Sequence, residues 1–329
     1  MPPSSAVEQS DDESTLNQLH RSVANDIMAS IECGDHGSWK CPWHGCASLP
    51  TNAFTGRQFK STNLIALWAA ARRRGYKVHL WASATGWESR GATVRPSETG
   101  TQVLVPIRDD TRPGGRWSPE SRGIEKKVGR LGGDAEGGEL GAIRGFEPKP
   151  FFNHAQVDGA PPAADLQRLP SPDEGAKRVL DLLHRWIGHG GPALVHGGIS
   201  AHWQASTDRV TMPPLKSFAD RDGLSGSALY AATLAHETFH STGSRRRLAR
   251  NMRGSKGSIA YAREEILVEL ATAVVCAEHG LPTAMRADHA AYISSWLSML
   301  KDTRRQSSFF WAVGEASKAV EFVKRASAA

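Results

Sequence analysis

The chain has 329 residues, of which 40% are apolar and 22% are charged. This composition can form hydrophobic cores, which excludes wholesale disorder, and the length predicts about two domains. The formal net charge is +6, a mild basic excess that permits a nucleic-acid partner without requiring one. Four cysteines in a chain of this length exclude a disulfide scaffold.

No targeting or membrane segment is predicted. The first residues contain neither the basic region nor the apolar region of a secretory signal, and the longest apolar run covers only residues 64–71. A membrane-spanning helix needs about 20 apolar residues. We therefore expect a cytoplasmic protein with no membrane partner.

The first half is predicted to be a small mixed α/β region, preceded by a disordered acidic tail over residues 1–14. Apolar residues spaced by four predict a helix that contains Leu19, Val23, Ile27 and Ile31. A second helix is predicted over 62–74, where Gly75 ends it. Short strands are predicted over 78–82, 102–107 and 151–157.

Composition suggests the domain limits. The glycine-rich stretch 108–150 is interpreted as an insertion or long loop, and the proline-rich stretch 159–173 as a linker. The predicted domains are therefore 15–158 and 174–329. The second has a short predicted strand at 210–212 and is otherwise helical. Its predicted helices cover 174–188, 225–242, 260–279, 285–301 and 304–325. The fold class is α+β.

The strongest motif is HETFH, residues 236–240, which fits the pattern HExxH. On a helix, positions i and i+4 share one face, so His236 and His240 can bind one metal ion. Glu237 would lie beside the ion and accept a proton from its water. Neither glycine nor proline interrupts the preceding residues 229–235. The alternative is a solvated helix face that happens to carry these residues.

A third ligand is needed. The extended pattern HExxHxxGxxH is excluded because Arg246 stands where its last histidine would be. A glutamate on the following helix is the other common solution, and residues 261–269 contain three. We favour Glu265 as the ligand and Glu269 as a partner for a ligand histidine. Glu264 remains a competitor, and so does Glu269 itself.

Such a site would hold one divalent metal ion, Zn²⁺ in the first instance and Mn²⁺ as an alternative. Its chemistry would be metal-assisted hydrolysis. A tyrosine or histidine often stabilises the oxyanion in sites of this kind, and Tyr261, His289 and Tyr292 are candidates among which the sequence does not choose. The alternative for Tyr292 is a core aromatic.

A basic segment, residues 57–77, contains six Lys or Arg and no acidic residue. Phe59, Trp68 and Tyr76 are interleaved with these charges. Positive charge that follows a phosphate backbone, together with rings on which bases stack, is typical of single-strand binding. The alternative is a solvated basic helix end with Trp68 in the core.

A separate cluster contains Cys33, His36, Cys41, His44 and Cys46. Its spacing is not that of paired zinc knuckles. We therefore interpret these thiols as incidental rather than as a second zinc site.

Several strings in the chain resemble the ArdC family of plasmid antirestriction proteins, which is similar to the N-terminal part of TraC-type conjugative primases. The N-terminal strings are SWKCPW, LPTNAFTGRQFKSTNLIALW and FFNHAQVDG. The C-terminal strings include LYAATLAHETFHSTG, GSIAYAREEILVELATAVVCAEHG and HAAYISSWLSML. Together they extend over nearly all of residues 15–325.

The resemblance implies an N-terminal domain that binds single-stranded DNA and a C-terminal zincin-like metallopeptidase domain. His236 and His240 are then metal ligands, Glu237 is the catalytic glutamate, and the third ligand lies in AREEILVE. The implied function is to protect single-stranded plasmid DNA in a bacterial recipient cell during conjugation, with an unidentified protein substrate. The alternative is a non-catalytic DNA-binding protein that holds its metal structurally.

The predicted DNA-binding residues combine the family stretch with the basic segment. They are Asn52, Thr55, Arg57, Phe59, Lys60, Asn63, Arg72, Arg73, Arg74 and Lys77. The chain departs from the family at residues 59–61, where tyrosine and glycine are usual. It departs again at Ser244, where a histidine is frequent and could act as an auxiliary ligand.

Overall fold

A computed structural model describes residues 17–28, 41–108, 143–255, 258–283 and 302–328. Helices and sheets are mixed in two compact units, which confirms the α+β class and the two-domain architecture. The first unit combines the described residues up to Asp26 with Thr51–Pro162. The second combines the described residues of Ile27–Pro50 with those of Ala163–Ala329. Residues 41–50 thus group with the second unit, although the sequence analysis placed them in the first domain.

Several predictions lie outside the described residues. They are the acidic tail, residues 109–142 of the glycine-rich stretch, the helix at 285–301, Cys33 and His36.

The first unit is built on a four-stranded sheet in the order β1-β2-β5-β4. Its strands are β1 (Thr51–Asn52), β2 (Leu80–Ala82), β4 (Thr101–Arg108) and β5 (Ile143–Asn153). β1 runs parallel to β2, and the other neighbours are antiparallel. A second, two-stranded sheet pairs β3 (Thr93–Val94) with β6 (Val157–Asp158).

Three helices belong to this part of the chain. They are α1 (residues 17–28), α2 (Ser61–Arg74) and α3 (Ala84–Glu88). α2 buries an apolar face on the sheet, and Leu67 and Ala71 form a core there with Trp81 and Val103. The helix ends at Gly75, whose φ of 71° is the left-handed conformation that glycine adopts without strain.

The second unit contains a three-stranded sheet in the order β7-β9-β8. Its strands are β7 (Ala193–His196), β8 (His202–Gln204) and β9 (Arg209–Met212). β9 runs parallel to β7 and antiparallel to β8. β8 is therefore an edge strand in the described part of the sheet. The sequence analysis predicted only β9.

Five helices complete the described second unit. They are α4 (Ala163–Leu166), α5 (Pro172–Gly188), α6 (Gly226–Ser241), α7 (Ile259–Glu278) and α8 (Thr303–Ala328). Serine side chains cap the N-termini of α5, α6 and α7, because each accepts a hydrogen bond from a backbone N–H in the first turn. None of the described helices is both long and apolar enough to cross a bilayer.

Candidate metal centre

The two histidines of the HExxH motif lie on one face of α6, with their rings close together. The N-cap of this helix, Ser225, accepts a hydrogen bond from the backbone N–H of Ala228, and the helix runs unbroken to Ser241. His236 and His240 lie one turn apart, with their Nε2 atoms separated by 3.3 Å. The His236 side chain is buried. The two imidazoles therefore converge as the helical interpretation of the motif requires.

α7 brings Glu265 to the same point. Glu265 Oε2 lies 3.6 Å from His236 Nε2, and Glu265 Oε1 lies 3.7 Å from His240 Nε2. Within the described residues, these three side chains form the one group of ligand type that converges so closely, with atoms within 4.8 Å of one another. We name His236, His240 and Glu265 the donor triad.

The donor triad fits a small divalent cation. Zinc bonds of about 2.0–2.2 Å at tetrahedral angles separate neighbouring ligand atoms by about 3.3–3.6 Å, which is close to the observed separations. Two imidazole nitrogens and one carboxylate oxygen are donors that Zn²⁺ and Mn²⁺ both accept. The triad also leaves a coordination position for a water or substrate.

The other two glutamates of α7 contact the outer nitrogens of the histidines. Glu269 Oε1 lies 3.2 Å from His236 Nδ1. Glu264 Oε1 lies 3.7 Å from His240 Nδ1. A carboxylate at the outer nitrogen orients the ring and directs the Nε2 lone pair inward. This arrangement favours Glu265 as the ligand over Glu264 and Glu269.

Glu264 is also committed to a buried ion pair. Arg250 donates from Nη2 and Nε to its two carboxylate oxygens at 2.6 and 3.0 Å. The same guanidinium donates to Thr242 Oγ1 and to the carbonyl of Phe239 at the end of α6. Arg250 therefore ties the end of the HExxH helix to α7.

Negative charge dominates the electrostatics of the site. Burial opposes protonation of His240, but Glu264, Glu265 and Glu237 around the ring outweigh it and raise its pKa above the ordinary value. Burial also works to raise the pKa of Glu264, yet the contacts from His240 and Arg250 lower it below the ordinary value. A site that strengthens proton binding by an imidazole in this way also attracts a cation.

Two cavities adjoin His236. The first, of about 350 Å³, is lined by Glu237, Tyr261 and the donor triad, together with residues 201–203 around the start of β8. The structure thus brings the predicted base and one predicted oxyanion candidate to the same cavity. His289 and Tyr292, the other two candidates, lie outside the described residues.

The second cavity, of about 400 Å³, lies against His236 and Glu269. Its walls come from α6, α7 and the segment 217–221. The hydroxyls of Thr272 and Thr283 are buried in its lining, and neither has a hydrogen-bond partner among the described residues. Sequence reasoning missed this cavity, because no local pattern relates the segments that line it.

In the first unit, several predicted DNA-binding residues have internal partners. The Asn52 side chain accepts hydrogen bonds from the backbone N–H groups of Phe54 and Thr55, which builds a turn. Asn63 accepts from the N–H of Leu104 and donates to its carbonyl, both at 2.8 Å. Phe59 packs edge-on against Phe151 on the core.

The basic residues of this unit fall into two groups. Arg73 pairs with Asp26, and Arg74 donates to the carbonyl of Thr99. Arg57, Arg72 and Lys77 are exposed, and their charged groups have no ion-pair partner within the described residues. Lys60 is exposed as well. Among the predicted DNA-binding residues, Arg57, Arg72 and Lys77 are thus the exposed cations without an ion-pair partner in the described part of the chain.

The elements around the donor triad identify the class of protein to which the second unit belongs. A helix with the HExxH histidines, followed by a helix with glutamates and accompanied by a small sheet, is the arrangement of a zincin-like domain. Residues 182–312 match the family model of a zincin-like metallopeptidase. Residues 17–130 match the model of the N-terminal domain of anti-restriction factor ArdC. The chain belongs to the ArdC family of antirestriction proteins.

The sequence similarity to known proteins extends over nearly the whole chain. An uncharacterised protein, y4eC of Sinorhizobium fredii, is 32% identical over 320 residues, which are 94% of this chain and 92% of y4eC. Two proteins called DNA primase TraC from Escherichia coli are 29% and 30% identical over 93% of this chain. The matched parts are only 27% and 20% of those primases.

The fold is also similar to that of solved structures. Crystal structures of the antirestriction protein ArdC from plasmid R388, one bound to Mn(II) and one metal-free, superpose with a TM-score of 0.66. They are 27% identical in sequence, and the match covers 94% of this chain and 98% of theirs.

Proposed function

We propose that this protein is an antirestriction protein that binds single-stranded DNA and carries a metal-dependent peptidase site. The observation that carries the peptidase part is the donor triad beside the buried Glu237. Its two Nε2 atoms lie 3.3 Å apart, and each lies within 3.7 Å of one of the two carboxylate oxygens of Glu265. His236, His240 and Glu265 would hold one divalent ion. Zn²⁺ is the first candidate, and the Mn(II) in the related crystal structure makes Mn²⁺ the second.

When bound, such an ion supplies Lewis-acid polarisation of a carbonyl and lowers the pKa of a water. The chain's own residues supply the remainder. Glu237 accepts the proton of the attacking water and passes it to the leaving amine. Tyr261, in the first turn of α7 and in the same cavity, donates a hydrogen bond to the developing oxyanion.

Substrate binding follows from the two cavities. β8 lies at the edge of the described sheet, and an extended peptide pairs with such an edge through backbone hydrogen bonds. Beyond His236, the second cavity receives a substrate side chain. The hydroxyls of Thr272 and Thr283 there favour a polar side chain. The substrate class is thus an extended segment of protein.

Glu237→Gln tests the catalytic part. We expect hydrolysis of an unstructured protein or a peptide library to fall by at least about 100-fold, as loss of a general base predicts. Metal content and DNA affinity should stay at the wild-type level. A variant that cleaves as fast as wild type would contradict the role of Glu237.

A second candidate is a protein that holds its metal structurally and cleaves nothing. The buried Arg250–Glu264 pair, which ties α6 to α7, favours it because it shows that this site also serves the packing of the unit. Metal-dependent hydrolysis that is lost in Glu237→Gln would exclude this candidate. A metal-loaded wild type without hydrolysis of any library peptide would support it.

The DNA part of the proposal rests on the accessible cations of the first unit. Arg57, Arg72 and Lys77 would neutralise phosphates of the DNA backbone. Affinity for an oligonucleotide should then fall steeply with salt, by about 0.7 in the logarithmic slope for each phosphate neutralised. We place this activity in the bacterial cytoplasm, on plasmid DNA that enters during conjugation. A DNA affinity that does not change with salt concentration would contradict the proposed phosphate contacts.

A further inference from the structure

His44 lies far from the metal motif in sequence but beside it in the second unit. The segment around it is fixed on both sides, because the His44 N–H donates to the carbonyl of Cys41 and the Gly45 N–H donates to the carbonyl of Thr283. Trp43 and His44 are both at most 2% exposed. The ring of His44 is therefore built into the unit rather than attached to its surface.

The His44 ring contacts the carboxylate that faces a metal-site histidine. His44 Nε2 lies 3.3 Å from Glu269 Oε2, and Glu269 Oε1 lies 3.2 Å from His236 Nδ1. An ionised carboxylate only accepts hydrogen bonds, so protons on His44 Nε2 and His236 Nδ1 are the arrangement that suits these two contacts. His236 then keeps its proton on Nδ1 and offers the lone pair of Nε2 to the donor triad.

We propose that His44 is a positioning residue of the metal site, which acts through Glu269 on His236. Its hydrogen bond to one oxygen fixes the rotation of the carboxylate, and the other oxygen fixes the ring and tautomer of His236. Arg250 holds Glu264 beside His240 in a comparable way. The inference rests on the proposed metal site, and it assigns a role to a residue 225 positions away from Glu269.

Metal affinity tests the proposal directly. His44→Leu fills much of the same space but donates no hydrogen bond, whereas His44→Gln keeps an N–H donor. Competition with a chelating dye should show Zn²⁺ bound about 10–100-fold more weakly by His44→Leu, the range found for outer partners of ligand histidines. His44→Gln should lie nearer to wild type. His79→Leu, which removes a buried histidine of the first unit, is the matched control and should leave Zn²⁺ affinity unchanged.

A double-mutant cycle separates positioning from general packing. If His44 acts through Glu269, His44→Leu should weaken Zn²⁺ binding no further once Glu269→Ala is present. Full additivity of the two effects, or wild-type affinity in a folded His44→Leu, would overturn the proposal. If His44→Leu does not fold, a loss of about 10-fold or more in folded His44→Gln would overturn the role of the donor.

A metal-free readout distinguishes this proposal from the proposed function. Nitrogen-15 NMR of the apoprotein reports which ring nitrogen of His236 carries the proton. We expect the Nδ1–H tautomer in wild type and a larger share of Nε2–H in His44→Leu. If wild type binds no metal, the proposed function fails, while this tautomer shift still supports the contact chain. An unchanged tautomer in His44→Leu would overturn the relay even if metal binds.

Discussion

The metal centre of the second unit and the basic segment of the first unit were predicted with unequal detail. In the metal centre, the spacing of His236 and His240 on a helix determines where their rings point, so a sequence pattern specifies a geometry. In the basic segment, charge and aromatic content specify a kind of partner but no geometry. The structure accordingly brings the favoured metal-site residues together, whereas it divides the DNA-binding candidates into accessible and internally bonded groups.

The comparison of these two regions shows that the partners of individual polar side chains are hard to predict from the sequence. Asn63 looks like a base-contacting residue in the sequence, yet both of its polar atoms bond to the backbone of β4, the edge strand of its sheet. Arg250 looks like a solvated cation, yet it is buried against Glu264. Each role depends on a strand or helix that is remote in sequence or on a loop conformation, and neither leaves a local pattern.

Arg250→Ala should destabilise the second unit by about 3–5 kcal/mol, because it leaves the buried Glu264 carboxylate without its guanidinium. Chemical denaturation measures the change. Arg253→Ala, which removes an exposed arginine three residues later, is the control and should stay within about 0.5 kcal/mol. A small loss of stability in Arg250→Ala would mean that the buried pair with Glu264 contributes little to the stability of the unit.

Asn63→Ala should destabilise the first unit by about 1–3 kcal/mol, since it removes both hydrogen bonds to Leu104 at the edge strand. Single-stranded DNA affinity, measured by fluorescence anisotropy on the folded variant, should not change. The opposite pattern, full stability with weakened DNA binding, would show that Asn63 contacts DNA and that the internal bonding is incidental.

Arg57→Ala and Arg73→Ala remove the same charge from different surroundings. Arg57 is free of ion pairs among the described residues, whereas Arg73 pairs with Asp26. The salt slope of DNA binding should become shallower by about 0.7 in Arg57→Ala and stay unchanged in Arg73→Ala. Equal slopes for the two variants would mean that sequence charge alone, without partners, determines binding.

The Asp208–Arg247 ion pair should give a pH-dependent contribution of no more than about 1 kcal/mol at neutral pH. The hydrogen bond from Arg247, 2.7 Å from Asp208 Oδ2, lowers the pKa of Asp208 despite partial burial. A lowered folded-state pKa means that the contribution is present above the ordinary value of about 3.9 and is lost as pH falls through the folded value.

Thermal unfolding of Asp208→Asn tests this prediction. The variant should be less stable than wild type at pH 7, and the difference should shrink as the pH falls below the ordinary carboxyl value of about 3.9 and through the lower folded-state pKa of Asp208. Asp165→Asn, a change at an exposed acid, is the control and should follow wild type at every pH. A difference for Asp208→Asn that persists in acid would show that the pair is not its cause.

Much of the fold could be predicted from the sequence. The helices α2, α5, α6, α7 and α8 follow their predicted limits closely, because long apolar periodicities are local signals. β7 and β8 were missed, whereas the equally short β2 and β9 were predicted, because alternation over three or four residues is too weak to identify every such strand. Residues 41–50 group with the second unit through contacts such as that of Gly45 with Thr283, which no local pattern indicates.

Some residues of the candidate site could likewise be predicted from the sequence, and others could not. The spacing on α7 favours Glu265 over Glu264 as the ligand, and in the structure the carboxylate of Glu265 faces the two Nε2 atoms while that of Glu264 faces His240 Nδ1. The partners that anchor the outer carboxylates, His44 and Arg250, come from a distant segment and from an irregular loop. Motif spacing can therefore predict which candidate ligands lie close together, whereas the residues that contact them from other segments are visible only in the folded structure.

The central claim is that His236, His240 and Glu265 hold one divalent ion. Metal content by mass spectrometry tests it on purified wild type, the His236→Ala/His240→Ala double variant, Glu265→Ala and Glu264→Gln. We predict about one ion per chain in wild type and in Glu264→Gln, and loss of the ion in the other two. A metal-free wild type, or an ion retained by the double variant, would contradict the claim.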